Sequence, residues 1–216
     1  MISPRWARAA WIQATRRLAA TMLASMLLTG AALAEPARTI VVMGDSLSAG
    51  YGMAASESWP ALLDTRLRAD GWRVVNASVS GETSAGGKAR ILGELQRHRP
   101  RVVVIALGAN DGLRGLPLSA MRTNLAWMTG AAHGAGARVM IAGMHMPPNL
   151  GPDYTAEFHA SFAALARWFD TGYLPFLLEP VADERANFMD DNLHPLPQTQ
   201  PAIRDHVLDA LRPLLQ

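Results

Sequence analysis

The sequence contains no cysteine. This absence excludes disulfide bonds, thiolate nucleophiles, cysteine metal sites and a lipid anchor on an amino-terminal cysteine. The fold must therefore be stabilised by its hydrophobic core. Half of the residues are apolar, which is enough to build the core of one domain at this length.

Long apolar runs are also missing beyond residue 34, so no later segment is expected to span a membrane. The first 34 residues have a different pattern, with four arginines followed by an apolar stretch over 18–32 and small residues at Ala32 and Ala34. This pattern predicts a secretory signal peptide over 1–34, cleaved near Ala34, and a periplasmic or secreted protein. The alternative is an uncleaved anchor, but the stretch is shorter than the roughly 20 residues that a spanning helix needs.

Basic runs interleaved with aromatic residues are absent from the rest of the chain. The predicted signal peptide carries four of the 20 basic residues and none of the 18 acidic ones, so the remaining chain is slightly acidic. This charge balance gives no support for a nucleic-acid partner, and we expect no stable membrane insertion once the signal peptide is removed.

Five short apolar runs recur along the chain after residue 34, and they do not alternate between polar and apolar residues. Such runs predict buried parallel strands covered on both faces. The runs are Thr39 to Met43, Arg73 to Ala77, Val102 to Leu107, Arg138 to Ala142, and Gly172 to Phe176.

Amphipathic helical patterns separate these runs. They predict a helix ending near Gly71, one between Thr83 and Pro100, one from a Ser119 cap to about His133, one over 154–170, and a last helix after residue 200. Five alternations of strand and helix, with no linker or repeat, predict an α/β fold. We expect a single three-layer α/β/α domain over 35–216 with a five-stranded parallel sheet.

Four polar segments are predicted to meet at one edge of this sheet, because ligands bind outside the carboxyl ends of parallel strands. GDSLS, SVSGET and GANDG follow the first three strands, and DDNLHP precedes the last helix. Ser46 at a strand end is a candidate nucleophile and His194 a candidate base. Asp191, three residues earlier, is close enough to bond the second ring nitrogen of His194.

Acyl transfer also needs hydrogen-bond donors for the oxyanion. Ser46 can supply its backbone N–H, Gly81 can bring a backbone N–H close to a substrate, and Asn110 can supply a neutral amide. Each residue also has an ordinary reading as a turn former or helix cap. The pattern G-x-S-x-G is absent because Ser48 stands at the last position, which disfavours an ordinary α/β-hydrolase.

Other titratable residues near these segments are alternatives to the candidate base and acid. His145, after the fourth strand, is a rival base without an acid at comparable spacing, and Asp190 is a rival to Asp191. Asp45 is expected to bond the backbone of its turn, since neighbours at a strand end point apart. A metal site at Asp190, Asp191 and His194 lacks a second histidine at helical spacing, so no metal is expected.

The four segments together resemble the SGNH (GDSL) hydrolases, in order and over the whole chain after the signal peptide. GDSL at 44–47, the glycine of SGET, GAND at 108–111 and DNLH at 191–194 are similar to the four blocks of that family. Longer stretches resemble its bacterial periplasmic thioesterase/lysophospholipase/arylesterase branch. Two small departures are Ala109 and Asn192, where close relatives often have glycine.

The resemblance implies a flavodoxin-like α/β/α fold and a catalytic triad of Ser46, Asp191 and His194. It also implies an oxyanion hole formed by Ser46, Gly81 and Asn110, and a reaction that needs no cofactor. An acyl pocket is expected near residues 112–115.

The apolar rim offers an acyl-binding surface, and we expect Leu113, Met144, Met146 and Pro147 to contribute to it. The expected function is that of a monomeric esterase and thioesterase acting on medium to long acyl groups, with lysophospholipids as a further candidate substrate. The alternatives are a carbohydrate O-deacetylase on the same scaffold and a non-catalytic periplasmic binding protein.

Overall fold

A five-stranded parallel sheet forms the centre of the domain, as the sequence predicted. The computed structural model describes residues 38–216, and the predicted signal peptide lies outside this range. The strands are β1 Arg38–Gly44, β2 Trp72–Asn76, β3 Val102–Ala106, β4 Arg138–Ala142 and β5 Gly172–Leu174.

The strands are arranged in the order β2-β1-β3-β4-β5, and every neighbouring pair is parallel. The chain moves outward from β1 to β2 in one direction, and from β2 through β3 to β5 in the other. Right-handed crossovers therefore place the connecting helices on opposite faces of the sheet. The direction reverses between β1 and β3, and the crevice at such a reversal is where α/β sheets bind ligands.

Seven helices are numbered here in chain order: α1 Ser46–Ala49, α2 Trp59–Leu67, α3 Ser84–His98, α4 Ala109–Leu113, α5 Leu118–Gly134, α6 Pro152–Phe169 and α7 Gln200–Leu211. Helix α5 packs between α3 and α6, while α2 packs against α7. These contacts form the two helical layers of the predicted α/β/α fold. Within residues 38–216, no helix is long and apolar enough to cross a membrane.

The core lies between the sheet and both helical layers. The interior strands are buried along nearly their whole length because helices cover both faces. Large apolar side chains from the helices complete the packing, including Trp59, Phe158 and Phe162, which are fully buried.

The predicted boundaries were wrong in a few places. Ser119 does not cap α5, because the helix begins one residue earlier, at Leu118, with Pro117 as the cap residue. Leu118 is buried and so draws the first turn against the core. β5 ends at Leu174 rather than Phe176, and the short helices α1 and α4 were not predicted.

Candidate active site

Ser46 lies at the first position of α1, directly after β1, at the carboxyl edge of the sheet. Asp45 caps this helix, with its Oδ1 accepting a hydrogen bond of 3.0 Å from the Leu47 N–H. This confirms the expectation that Asp45 bonds the backbone of its turn. The short helix begins immediately at the strand end, so the Ser46 hydroxyl faces the crevice between β1 and β3.

His194 joins Ser46 to Asp191 through its two ring nitrogens. Its Nε2 lies 2.8 Å from Ser46 Oγ, and its Nδ1 lies 2.6 Å from Asp191 Oδ2. An ionised carboxylate only accepts hydrogen bonds, so Nδ1 donates to Asp191 and Nε2 accepts from the serine hydroxyl. The three side chains therefore form the continuous hydrogen-bonded chain that the sequence predicted.

Asp191 is held in place by the turn that it begins. Its Oδ1 accepts hydrogen bonds from the backbone N–H groups of Leu193, at 2.9 Å, and His194, at 3.0 Å. Asn192, between Asp191 and Leu193, has φ of +59°, a left-handed conformation that asparagine tolerates better than most residues. This conformation explains why asparagine can stand where glycine was expected.

Two carboxyl groups near Ser46 have pKa values shifted in opposite directions. Burial raises the pKa of Asp191, but hydrogen bonds from the His194 side chain and the Leu193 and His194 backbone outweigh burial and lower it to about 2. Burial raises the pKa of Asp45 to about 6, against the opposing effects of the Leu47 N–H and the His194 charge. Asp191 is thus the carboxylate that remains ionised beside the imidazole.

Tyr51 covers the ring of His194, a contact that sequence reasoning missed. The two ring centroids are 4.3 Å apart and the planes are tilted by 35°. Tyr51 is about half exposed, so it separates one side of the imidazole from solvent. The only sequence signal was a tyrosine in the turn of the GDSLSAGYGM segment, which is not specific.

Asn110 and Gly81 lie in neighbouring segments, α4 and the turn before α3, and Gly81 is not among the described residues that line the cleft beside Ser46. Asn110 is at the start of α4, lines the same cleft as Ser46, and donates from Nδ2 to Glu82 O over 3.0 Å. An amide nitrogen carries two hydrogens, and the bond to Glu82 O uses only one of them. Gly81 precedes the bonded Glu82 and has φ of +77°, which favours glycine.

A cleft of about 630 Å³ opens beside Ser46 and His194. The four residues predicted for acyl binding all line it: Leu113, Met144, Met146 and Pro147. Met144 and Met146 also belong to the core. Sequence reasoning missed further lining residues that follow β5 or pack near the last polar segment, including Phe176, Leu178, Arg185 and Phe188.

His145 and Asp190, the alternatives to His194 and Asp191, do not occupy the same positions in the site. His145 lines the cleft, and the centroid of its ring lies 3.9 Å from that of His159 and 4.5 Å from that of Phe176, with the rings tilted against each other. Burial and the neighbouring His159 lower the pKa of His145. It is Asp191, and not Asp190, that bonds His194. No group of three or more metal-ligating side chains is present within the described chain.

A serine, histidine and aspartate joined by hydrogen bonds at the edge of a parallel sheet form the arrangement found in serine hydrolases. The chain belongs to the GDSL-like Lipase/Acylhydrolase family, whose sequence profile matches residues 42–200. The expected family and fold are thereby confirmed.

Several known proteins are similar over most of the chain. Esterase TesA of Pseudomonas aeruginosa is 44% identical over 195 residues, which cover 89% of this chain and 96% of that protein. The thioesterase 1/protease 1/lysophospholipase L1 of Escherichia coli strain K12 is 41% identical over 182 residues, covering 84% and 87%. A crystal structure of TesA has a TM-score of 0.79 at 43% identity, covering 82% of this chain and 99% of that one.

Proposed function

We propose that this protein is an exported serine hydrolase that cleaves acyl esters and thioesters of medium to long chain length through an acyl-serine intermediate. The observation that carries the proposal is the bonded chain of Ser46, His194 and Asp191 at the mouth of an apolar cleft. The relatives named esterase and thioesterase/lysophospholipase support the same substrate class.

In the first half of the reaction, His194 Nε2 takes the proton of Ser46 as Oγ attacks the carbonyl carbon. Asp191 stabilises the imidazolium that forms. The Ser46 N–H, the Gly81 N–H and the second hydrogen of Asn110 Nδ2 stabilise the oxyanion of the tetrahedral intermediate. Collapse of this intermediate transfers the His194 proton to the alcohol or thiol as it leaves, and the acyl group remains on Ser46.

In the second half, His194 removes a proton from water, and the resulting hydroxide attacks the acyl-serine carbonyl. The same three donors stabilise the second oxyanion. The Ser46–acyl bond then breaks, the proton returns to Oγ and the carboxylic acid departs.

The cleft supports an acyl chain as the group that is bound. Its walls include Met144 and Met146, and flexible methionine side chains adapt to chains of different length. Lysophospholipids belong to the proposed substrate class. A carbohydrate O-deacetylase would need polar groups for a sugar, whereas Leu113, Pro147 and Phe176 give this cleft an apolar lining.

The amino-terminal sequence supports a proposed location outside the cytoplasm. A signal peptide over 1–34 would release the hydrolase domain of 35–216 into the periplasm or the medium. The proposed nucleophile, base, acid and donors all come from one chain, so we propose that the monomer is active. Gel filtration of the secreted protein, together with its amino-terminal sequence, tests both statements.

A series of acyl esters from acetyl to palmitoyl, with matched oxygen and sulfur leaving groups, tests the proposed activity. We expect the wild-type rate to increase from acetyl to octanoyl, and Ser46→Ala to abolish turnover while the fold is retained. Ser48→Ala is a matched control, because Ser48 is a buried serine of the same helix with no hydrogen bond from its hydroxyl within the described chain.

Two results would contradict the proposal. Faster cleavage of acetylated sugars than of octanoyl esters would indicate the deacetylase. Absence of both ester hydrolysis and a phosphonofluoridate adduct on Ser46 would indicate a binding protein.

A further inference from the structure

The carbonyl of Gly81 is bound by a side chain to which the proposed mechanism gives no role. Arg114 Nη2 donates a hydrogen bond of 2.8 Å to Gly81 O. Arg114 stands at the carboxyl end of α4 and is exposed, and it is not one of the described residues that line the cleft. It therefore contacts the loop that carries a proposed oxyanion donor without lying along the path of an acyl chain.

The loop itself is a β-turn over residues 79–82, referred to here as the glycine turn. Glu82 N–H donates to Val79 O over 3.1 Å, and Gly81, the third residue, has φ of +77°. In such a turn, the N–H of the third residue is not used by the turn's own hydrogen bond. Gly81 N–H is thus free for a substrate, but its position depends on what holds the turn from outside.

Three side chains of one segment, residues 110–114, hold the glycine turn and the helix that follows it. Asn110 Nδ2 donates a hydrogen bond to Glu82 O. The Asp111 carboxylate accepts hydrogen bonds from the backbone N–H and the hydroxyl of Ser84. Both of these contacts involve residues that follow Gly81 in the chain. Arg114 is the member of the set that binds a backbone atom of Gly81 itself, its carbonyl oxygen.

We propose that Arg114 is a positioning residue for the oxyanion hole. By binding Gly81 O, it fixes the Gly81 N–H relative to the Asn110 amide, so that both donors point at one substrate oxygen. The inference rests on the proposed function, because it concerns how the same site stabilises its tetrahedral intermediate.

The effect of Arg114 is geometric rather than a matter of its charge. Its guanidinium is exposed, so water and salt screen its interaction with a distant substrate charge. A donor must lie about 2.7–3.1 Å from the position that the oxyanion will occupy, so a small displacement of the glycine turn weakens it. The loss on removal of Arg114 should therefore be the same for neutral and anionic substrates.

The test compares Arg114→Met, Arg114→Lys and wild type on p-nitrophenyl butyrate. Removing one oxyanion donor costs about 100- to 1000-fold in kcat, and displacing it should cost about 10-fold, with KM unchanged within a factor of two. Lysine keeps a single flexible donor and should recover part of the loss. Arg97→Met is the control, since Arg97 is an exposed arginine of α3 that pairs with Glu94.

Binding of two inhibitors distinguishes positioning from general damage. An alkylboronic acid forms a bond from boron to Ser46 Oγ, the serine proton passes to His194, and the tetrahedral adduct places an oxygen in the oxyanion hole. We expect Arg114→Met to weaken binding of the boronic acid by the same factor by which it lowers kcat. The affinity for the matching carboxylic acid should be unchanged.

Three outcomes would overturn the inference. The first is a kcat for Arg114→Met within twofold of wild type. The second is a loss confined to phosphate-bearing substrates, which would make Arg114 a substrate contact. The third is an equal loss of binding affinity for the boronic and the carboxylic acid. Failure of wild type to hydrolyse any ester would instead contradict the proposed function, so the two failures are distinguishable.

Discussion

Asp45 and Asp191 both lie beside the Ser46–His194 hydrogen bond, and their surroundings give them different pKa values. Asp191 accepts three hydrogen bonds and has a pKa of about 2, so it remains ionised over the working pH range. Asp45 is almost fully buried and has a pKa of about 6. Its Oδ2 has no hydrogen-bond partner within the described part of the chain.

The raised pKa of Asp45 predicts a specific dependence of stability on pH. Between the ordinary value of 3.8 and about 6, the folded protein retains a proton that the unfolded chain has released. The contribution of Asp45 is therefore fully present below pH 3.8 and is lost as the pH rises to 6. The loss amounts to about 3 kcal/mol of unfolding free energy.

Urea denaturation of wild type and Asp45→Asn across pH 3.5–7 measures this contribution. We expect the difference in unfolding free energy to move in favour of the variant as the pH rises, because asparagine carries no charge to bury. The Asp191 contribution is common to both proteins and cancels. A difference that does not change with pH would contradict the assigned pKa.

The ring of Tyr51 should support His194 in the reaction. A protonated imidazole facing an aromatic ring gains about 0.5–1 kcal/mol at an exposed site, which corresponds to a two- to fivefold effect on kcat. We expect Tyr51→Ala to lose this factor, whereas Tyr51→Phe retains it because the ring remains. Equal losses in both variants would show that the hydroxyl, and not the ring, is responsible.

At the residue scale, the sequence could predict which side chains bond but not which rings pack. Asp191 and His194 are three residues apart, so their pairing follows from local geometry, and four motifs in order indicated Ser46 as the partner. The contact between Tyr51 and His194 joins two distant loops and depends on tertiary packing. No spacing rule connects those residues.

The short helix α4 is the element that connects the parts of the site. Asn110 and Leu113 line the cleft, and Asn110 also binds Glu82 of the glycine turn. Asp111 binds the start of α3, and Arg114, directly after α4, binds Gly81 of the glycine turn. A helix of five residues has too few positions to show a periodic pattern, so the sequence does not predict it. The longer helices are predicted by apolar positions that repeat along the chain, and the strands by continuous apolar runs.

The contact between α4 and α3 should stabilise the fold. Asp111 is buried and accepts hydrogen bonds from Ser84 N, at 2.7 Å, and Ser84 Oγ, at 2.6 Å, at the positive end of a helix. Asp111→Ala leaves both donors without this acceptor and should lower the unfolding free energy by about 3 kcal/mol.

Thermal or urea denaturation checks this value. Asp70→Ala is the matched control, since Asp70 is an exposed aspartate at a helix end, and its change should stay within about 0.5 kcal/mol. Equal stability of the two variants would show that the buried carboxylate is not needed to hold α3.

At the scale of the whole molecule, the fold is stabilised without disulfides, and we expect the proposed reaction to need no metal ion. The chain has no cysteine, and residues 38–216 contain no cluster that could hold a metal ion. We expect dithiothreitol and EDTA to leave both the melting temperature and the ester hydrolysis rate unchanged. Activity lost to EDTA and restored by zinc would revive a metal site at Asp190, Asp191 and His194.

The overall architecture was predictable because several features of the sequence indicated the same fold. Buried strand patterns, helical stripes and polar strand ends all indicated one parallel sheet with its site at the carboxyl edge. The apolar patterns alone do not predict the strand order, which the flavodoxin-like resemblance implied, or the shape of the cleft. They depend on how distant segments pack, as the loops after β4 and β5 do around Met144 and Phe176.

The hydrogen bond between Ser46 and His194 joins two groups separated by 148 positions in the chain. A polypeptide still being synthesised therefore holds its hydroxyl long before its imidazole exists. An incomplete chain that lacks residues 191–194 therefore has no base to activate Ser46, and turnover during refolding can return only once the carboxyl-terminal segment has docked.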